Sequence, residues 1–274
     1  MPNQVKISVR DLSRSFVDAG GTRVEALRNV NFEVEDAFSA AGRDIGEFRV
    51  ILGPSGCGKS TLLRMIAGLD RPDGGHVLVN GKPVAGPGRD RGMVFQKYTS
   101  FPWLTVEDNI AYGPKINGVP EAEREQTVHH LIEAVGLGGF EKSYPDTLSG
   151  GMQQRLAIAR TLANRPQVIL MDEPFGALDA QTRSDMQQLL LKMWDETAST
   201  ILFVTHDVDE AIYLADRIFI LSARPGTIVE DIPVPFGRPR DPAIRETTEF
   251  HDMQHHVLSC LRRAPGKGQV RVSV

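Results

Sequence analysis

The stretch from Phe48 to Thr61, FRVILGPSGCGKST, constrains this 274-residue chain more than any other. A mostly apolar strand runs straight into a glycine-rich loop that ends in lysine and hydroxyls. The pattern G-x-x-x-x-G-K-[ST] is filled by Gly53, Gly58, Lys59 and Ser60. Glycines let the backbone curl so that successive N–H groups point inward at a phosphate. A helix opening near Lys59 adds its positive end, Lys59 reaches the β- and γ-phosphates, and the Ser60 hydroxyl can ligate Mg²⁺. The loop residues Gly53, Pro54, Ser55, Gly56, Cys57, Gly58, Lys59, Ser60 and Thr61 therefore form the predicted cradle for a nucleoside triphosphate with magnesium. An ordinary Gly-rich turn is the bland alternative, but the required context of strand before and helix after is met.

Composition narrows what can surround such a loop. With 41% hydrophobic residues the chain can bury one large core with an attached lobe. A net charge of -4 and the lack of a basic run argue against nucleic acid as a partner. No apolar run approaches the roughly 20 residues that span a bilayer, and MPNQVKISVR lacks the apolar core of a signal peptide, which predicts a cytoplasmic chain. Its two cysteines, Cys57 and Cys260, read as reduced thiols rather than a disulfide framework.

Two kinds of strand signal organise the rest. Val5, Ile7 and Val9, then Val30, Phe32 and Val34, then Val77 and Val79 before Asn80-Gly81 alternate, as half-buried antiparallel strands do. Phe48 to Leu52, Val168 to Met171, Ile201 to Val204 and Ile218 to Leu221 are near-continuous apolar runs, as in parallel strands covered on both faces. Helical patterns separate the second group. The predicted fold is α/β with an antiparallel piece at its N-terminal side.

A triphosphate site needs an acidic strand end, and VILMDEP at 168 to 174 supplies one. Asp172 is placed to hold magnesium through its outer shell, and Glu173 to orient or deprotonate the attacking water. The alternative is a carboxylate pair that caps the next helix. His206 follows the strand TILFVT at a comparable edge, where parallel-sheet ligands bind, and is read as a γ-phosphate sensor. A second anion-binding helix start lies at Leu148-Ser149-Gly150-Gly151-Met152-Gln153-Gln154-Arg155. One bound nucleotide does not obviously need two such helix ends from one chain. The economical reading is a head-to-tail dimer, in which the second end faces the γ-phosphate held by the other copy. Taken alone, this segment would read as a simple N-cap and turn.

With these motifs in hand, the sequence resembles the ATP-binding subunits of ABC transporters, from Ile7 to about Arg240. The resemblance implies a P-loop NTPase (RecA-like) parallel-sheet core, an N-terminal antiparallel β subdomain and an inserted α-helical subdomain. It places the ATPase domain at 4–240, the helical subdomain at about 97–160 and a C-terminal tail at 241–274. It makes Glu173 and His206 catalytic and matches Phe16 to the aromatic on which adenine stacks. Gln96 of MVFQ joins Ser60 and Asp172 as a magnesium contact, with ATP and Mg²⁺ as cofactors. Ser149, Gly150, Gly151 and Asp179 of GALD act in trans. Many family members carry glutamine where this chain has Met152, a change that leaves the backbone contacts intact. The implied assembly is a homodimer, or a pair with a related ATPase subunit, on integral membrane permease subunits with an extracytoplasmic solute-binding protein. Its implied place is peripheral, on the cytoplasmic face of the cell inner membrane.

The segments SFPWLTVEDNIAYG at 100 to 113 and THDVDEAIYLADRIFILSARPG at 205 to 226 resemble importers of nitrate, sulfonates, taurine and related small solutes. Phe101, Pro102, Trp103 and Leu104 suit a groove for a short helix of a membrane partner, or packing within the helical lobe. The chain departs from the family at DAFSAAGRDI, residues 36–45, which predicts a longer hairpin there. The tail is expected to form one helix, with His251 and His255 on a solvated face. A soluble ABC ATPase acting on nucleic acid or ribosomes is the alternative. It would need a coiled coil, a tandem cassette or a basic face, and none is visible. A P-loop kinase or GTPase would lack the LSGG helix and carry a motif such as N-K-x-D.

Overall fold

The computed structural model describes residues 5–18, 20–38, 44–97, 99–197 and 199–264. In chain order the first elements are strands β1 (Val5–Val17), β2 (Arg23–Glu35), β3 (Ala37–Phe38), β4 (Asp44–Ile45) and β5 (Phe48–Leu52), then helix α1 (Lys59–Ala67). Strands β6 (Gly74–Val79), β7 (Lys82–Pro83) and β8 (Arg91–Val94) follow, then helices α2 (Val106–Ile116), α3 (Glu121–Ala134) and α4 (Gly150–Leu162). The remainder is β9 (Val168–Asp172), α5 (Ala180–Thr197), β10 (Thr200–Thr205), α6 (Val208–Leu214), β11 (Arg217–Leu221), β12 (Ile228–Pro233) and α7 (Thr248–Arg263). Two compact units result, one of residues 1–88 with 198–274, the other of residues 89–197.

In the first unit the alternating segments pair as an antiparallel sheet in the order β2-β1-β6-β7. Ile7, Val9, Val30, Val34 and Val79 put their apolar side chains inside, because successive residues of a strand face opposite ways. Asn80 and Gly81 turn β6 into β7 with φ of 50° and 71°, the left-handed pair that a tight hairpin requires. The insertion at 36–45 carries the short antiparallel pair β3–β4, with Ala37 opposite Ile45; residues 39–43 lie outside the described residues. The apolar runs of the same unit become β5, flanked in parallel by β10 and β11. Every residue of β5 and β10 is buried. Strand β12, which has no continuous apolar run, closes this edge antiparallel to β11.

The C-terminal segment packs on α6 rather than trailing away. The Arg240 guanidinium, wholly buried, donates to the carbonyls of Ile212 and Tyr213 at 2.8 and 2.9 Å and to those of Ala215 and Phe236 at 2.6 and 3.2 Å. The last carbonyls of a helix have no partner within it; Arg240 satisfies those of Ile212 and Tyr213, and Arg238 that of Leu214 at 2.8 Å. Arg245 stacks over the Tyr213 ring at 3.9 Å, and Phe250, Val257 and Leu261 of α7 are buried. His251 and His255 are exposed on α7, and no metal-binding group of three His, Cys, Asp or Glu occurs among the described residues.

In the second unit β8 and β9 pair in parallel, Arg91 opposite Val168 and Val94 opposite Met171. Helix α4 packs on β8, on α2 and on α5, and α2 packs on α3. Among the described residues no helix is long and apolar enough to cross a membrane.

Candidate functional site

The predicted site residues fall into one group in each unit. In the first, β5 delivers Gly53 into the loop and α1 leaves it. Gly58 takes the N-cap position with φ 104°, and no side chain caps the helix. A helix start without a side-chain cap is the kind of end that can receive an anion. A Cβ at Gly58 would lie 2.7 Å from Leu27 Cδ2 and 3.0 Å from the Ala26 carbonyl oxygen, so β2 is the wall on which the loop is folded. Lys59 is only 4% exposed, and its ammonium donates to the carbonyls of Gly53 and Pro54 at 2.8 and 3.0 Å. The lysine is drawn in along its own loop, which holds its charge at the cradle. Ser60 is exposed at the start of α1.

Two further members belong to this unit. Phe16, near the end of β1, is 42% exposed, and the Arg14 guanidinium lies 5.0 Å from its ring centroid, leaving aromatic surface open to stacking. His206 is exposed at the end of β10. Its position is set on the following side: the Asp207 N–H donates to Thr205 Oγ1 at 3.0 Å, and the Asp207 carboxylate accepts from the Glu210 N–H at 2.9 Å to cap α6.

The second group starts where β9 ends. Asp172 is buried, whereas Glu173 is half-buried and holds φ 43°, a left-handed conformation seldom adopted by a residue with a side chain. Strain of this kind costs on the order of 1–3 kcal/mol and persists where the surroundings impose it. Here it falls on the first residue after β9, next to the buried Asp172. A Cβ built at Gly176 would lie 4.0 Å from Glu173 Cβ and 4.0 Å from the Gln96 side-chain nitrogen, so both residues flank Gly176.

Ser149 caps α4, accepting from the Met152 N–H at 3.3 Å, and Gly150 and Gly151 begin its first turn. A Cβ at Gly151 would stand 2.7 Å from Thr182 Cγ2 on α5. Thr182 in turn donates its N–H and hydroxyl to Asp179 at 3.0 and 2.7 Å, and these bonds hold the Asp179 carboxyl below the usual range. Locally Asp179 is the N-cap of α5, one threonine away from the glycine opening of α4. Gln153 ties that opening to the preceding turn through the Pro145 and Leu148 carbonyls at 2.8 and 3.2 Å.

The aromatic segment after Gln96 divides between packing and exposure. Phe101 packs at a tilt of 57° against Tyr112, centroids 4.6 Å apart, and under the Arg160 guanidinium at 4.8 Å, while Asn109, fully buried, grips its backbone. Trp103 is 71% exposed and Ile116 68% exposed. Sequence reasoning did not single out Arg224, whose guanidinium donates to the Gly56 carbonyl of the phosphate loop at 3.1 and 2.9 Å.

Known proteins resemble this chain in sequence and in overall fold. A family model described as ABC transporter matches residues 43–176. An uncharacterised ABC transporter ATP-binding protein, MJ0412 of Methanocaldococcus jannaschii, is 51% identical over 259 residues, 94% of this chain and 92% of that protein. The nitrate import ATP-binding protein NrtD of Synechocystis is 45% identical over 262 residues, 93% of this chain and 95% of that protein. Among solved structures, the dimeric post-hydrolysis state of the ATP-binding cassette MJ0796 bound to ADP and Pi superposes with a TM-score of 0.71. Its identity is 32%, over 84% of this chain and 100% of that one.

Proposed function

The chain belongs to the ABC transporter family of ATP-binding proteins, and from that premise we propose that it is the ATP-hydrolysing subunit of an importer for a small solute of the nitrate, sulfonate or taurine kind. The observation that carries the catalytic part is the left-handed Glu173 beside Gln96 at the end of a fully buried strand. A strained carboxylate at a strand end, in a chain whose α1 starts with no side-chain cap and whose α4 starts on two glycines, fits water activation better than helix capping.

In this reading the uncapped start of α1 and Lys59 bind the β- and γ-phosphates, and Phe16 stacks on the base. Glu173 takes a proton from the attacking water, and His206 senses the γ-phosphate. The donors available for magnesium are the Ser60 hydroxyl, the Gln96 amide oxygen and the Asp172 carboxylate, an all-oxygen set that suits a hard divalent ion. When bound, the ion neutralises charge on the phosphate oxygens. The Ser149–Gly151 opening serves the nucleotide of a second copy, or of a related ATPase subunit, so that closure around two nucleotides is the mechanical output.

The proposed partners are integral membrane permease subunits, contacted through the exposed Trp103, Tyr112 and Ile116, and an extracytoplasmic solute-binding protein. The chain then sits peripherally on the cytoplasmic face of the inner membrane. The solute class rests on the segments 100–113 and 205–226 and on the likeness to a nitrate importer's subunit. Affinity isolation of the tagged chain from native membranes tests the assembly. The expected catch is a membrane permease and a binding protein that takes up nitrate, taurine or an alkylsulfonate; a free dimer, or one carrying nucleic acid or ribosomes, overturns the reading.

A further inference from the structure

The turn that joins β11 to β12, Ser222-Ala223-Arg224-Pro225-Gly226, touches the phosphate loop on two consecutive peptides. Arg224 grips the Gly56 carbonyl oxygen with Nε and Nη2 at 3.1 and 2.9 Å. One peptide further on, the bare Gly226 backbone lies so close to Cys57 that a Cβ there would stand 2.3 Å from the Cys57 carbonyl oxygen. The turn that delivers these contacts is itself pinned. Ser222 Oγ donates to the Pro225 carbonyl and accepts from the Thr227 N–H, both at 3.0 Å. The Gly226 N–H donates to Ala26 at 2.8 Å, and the Gly226 carbonyl accepts from the Arg28 N–H at 3.1 Å.

We propose that Arg224 is a positioning residue for nucleotide binding, whose forked guanidinium holds the Gly56–Cys57 peptide with its carbonyl outward and its N–H toward the inside of the loop. This rests on the reading of the loop as an ATP site. In a trans peptide the carbonyl and N–H point in opposite directions, so a donor that fixes one aims the other. The Cys57 N–H accordingly faces inward, 3.4 Å from the Pro54 carbonyl oxygen, a bond long enough to yield to a phosphate. Gly56 has φ 75° and no side chain to restrict it, so without an outside partner this peptide is free to flip. A planar fork fixes the orientation of a carbonyl, which a point charge does not.

The test uses the full chain as wild type, Arg224→Ala, Arg224→Lys and, as reference, Lys59→Ala. Calorimetric Kd values for ATP and ADP, steady-state KM and kcat, and the thermal midpoint without nucleotide are measured for each. Arg224→Ala is expected to weaken both nucleotides about three- to tenfold, the scale of one ordinary hydrogen bond, because the contact is exposed and acts on the nucleotide through the loop. The loss falls on KM rather than kcat, and the nucleotide-free midpoint moves by less than about 2 °C. Arg224→Lys recovers less than half of the loss. Unchanged affinity in Arg224→Ala, full recovery by lysine, or a loss matched by a falling midpoint overturns the proposal. Normal binding in Lys59→Ala would instead bring down the ATP reading itself, and this inference with it.

Discussion

Arg240→Met removes the buried group that closes the end of α6. Three of the carbonyls it serves, those of Ile212, Tyr213 and Ala215, lie in or just past the last turn of that helix, and the fourth belongs to Phe236. Leaving a buried acceptor unsatisfied costs about 1–3 kcal/mol, so four of them put the gross loss at roughly 4–12 kcal/mol if none regains a partner. The guanidinium is itself expensive to bury. Burial, and then the charge of Arg238, push its pKa down to about 10, so holding it charged there costs roughly 3 kcal/mol that methionine does not incur. With carbonyls near the surface rehydrating in part, the net destabilisation should be about 2–4 kcal/mol, or a fall of about 5–12 °C in thermal midpoint at this chain length. Hydrolysis should fall as well, because α6 begins two residues after His206. Differential scanning calorimetry of the nucleotide-free chain, paired with an ATPase assay below the midpoint, reads both. A midpoint within about 1 °C of wild type would refute the claim that this arginine holds the C-terminal segment to α6.

Lys59→Ala should weaken ATP binding roughly ten- to hundredfold, since it removes a charged donor from the phosphates; calorimetric titration measures it, and an unchanged Kd contradicts the assigned role. Acid sensitivity follows from Asp73, whose carboxyl is held below its ordinary value of 3.8 first by the Ser15 N–H at 2.7 Å and then by Arg14 at 2.8 Å. A depressed carboxylate stabilises the fold fully above pH 3.8 and loses that stabilisation as pH falls through its folded value. The gap in thermal midpoint between wild type and Asp73→Asn should therefore hold constant from neutral pH to about pH 4 and close below it; a gap that persists at pH 2 refutes the pairing.

The parts of the fold set by local periodicity were legible in the sequence. Alternation in Val5–Val9 and Val30–Val34 marks one buried face, and the unbroken run in Ile201–Val204 marks two, so the antiparallel and parallel strands separate without a structure. Strand β8 was less visible: only Val94 of its four residues is buried, and its pairing with β9 spans 77 positions from Arg91 to Val168. Strand β12 is exposed at Glu230 and Asp231 and carries no burial signal to read. Among site residues, Lys59 and Ser149 announce themselves through spacing and capping chemistry. The left-handed turn at Glu173 does not, because the residue type gives no hint of it. Arg224 acts on Gly56 across 168 positions, and its only local mark is an arginine before a Pro-Gly turn. In the C-terminal segment a 3-10 helix at Pro242–Glu246 precedes α7 at Thr248–Arg263, and the contact with α6 runs through Arg240, which no pattern singles out. Phe101 and Trp103 are neighbours in an apolar run, and only packing decides that the first is a scaffold and the second a surface.

The central claim is that two copies of this chain close around ATP and that Glu173 then activates water. Glu173→Gln, incubated with ATP and magnesium and sized by light scattering alongside an ATPase assay, tests both halves at once. An ATP-dependent dimer is expected, with hydrolysis reduced about 10²- to 10⁴-fold and nucleotide affinity retained. A chain that stays monomeric with ATP bound, or one that still turns ATP over at the wild-type rate, would contradict it.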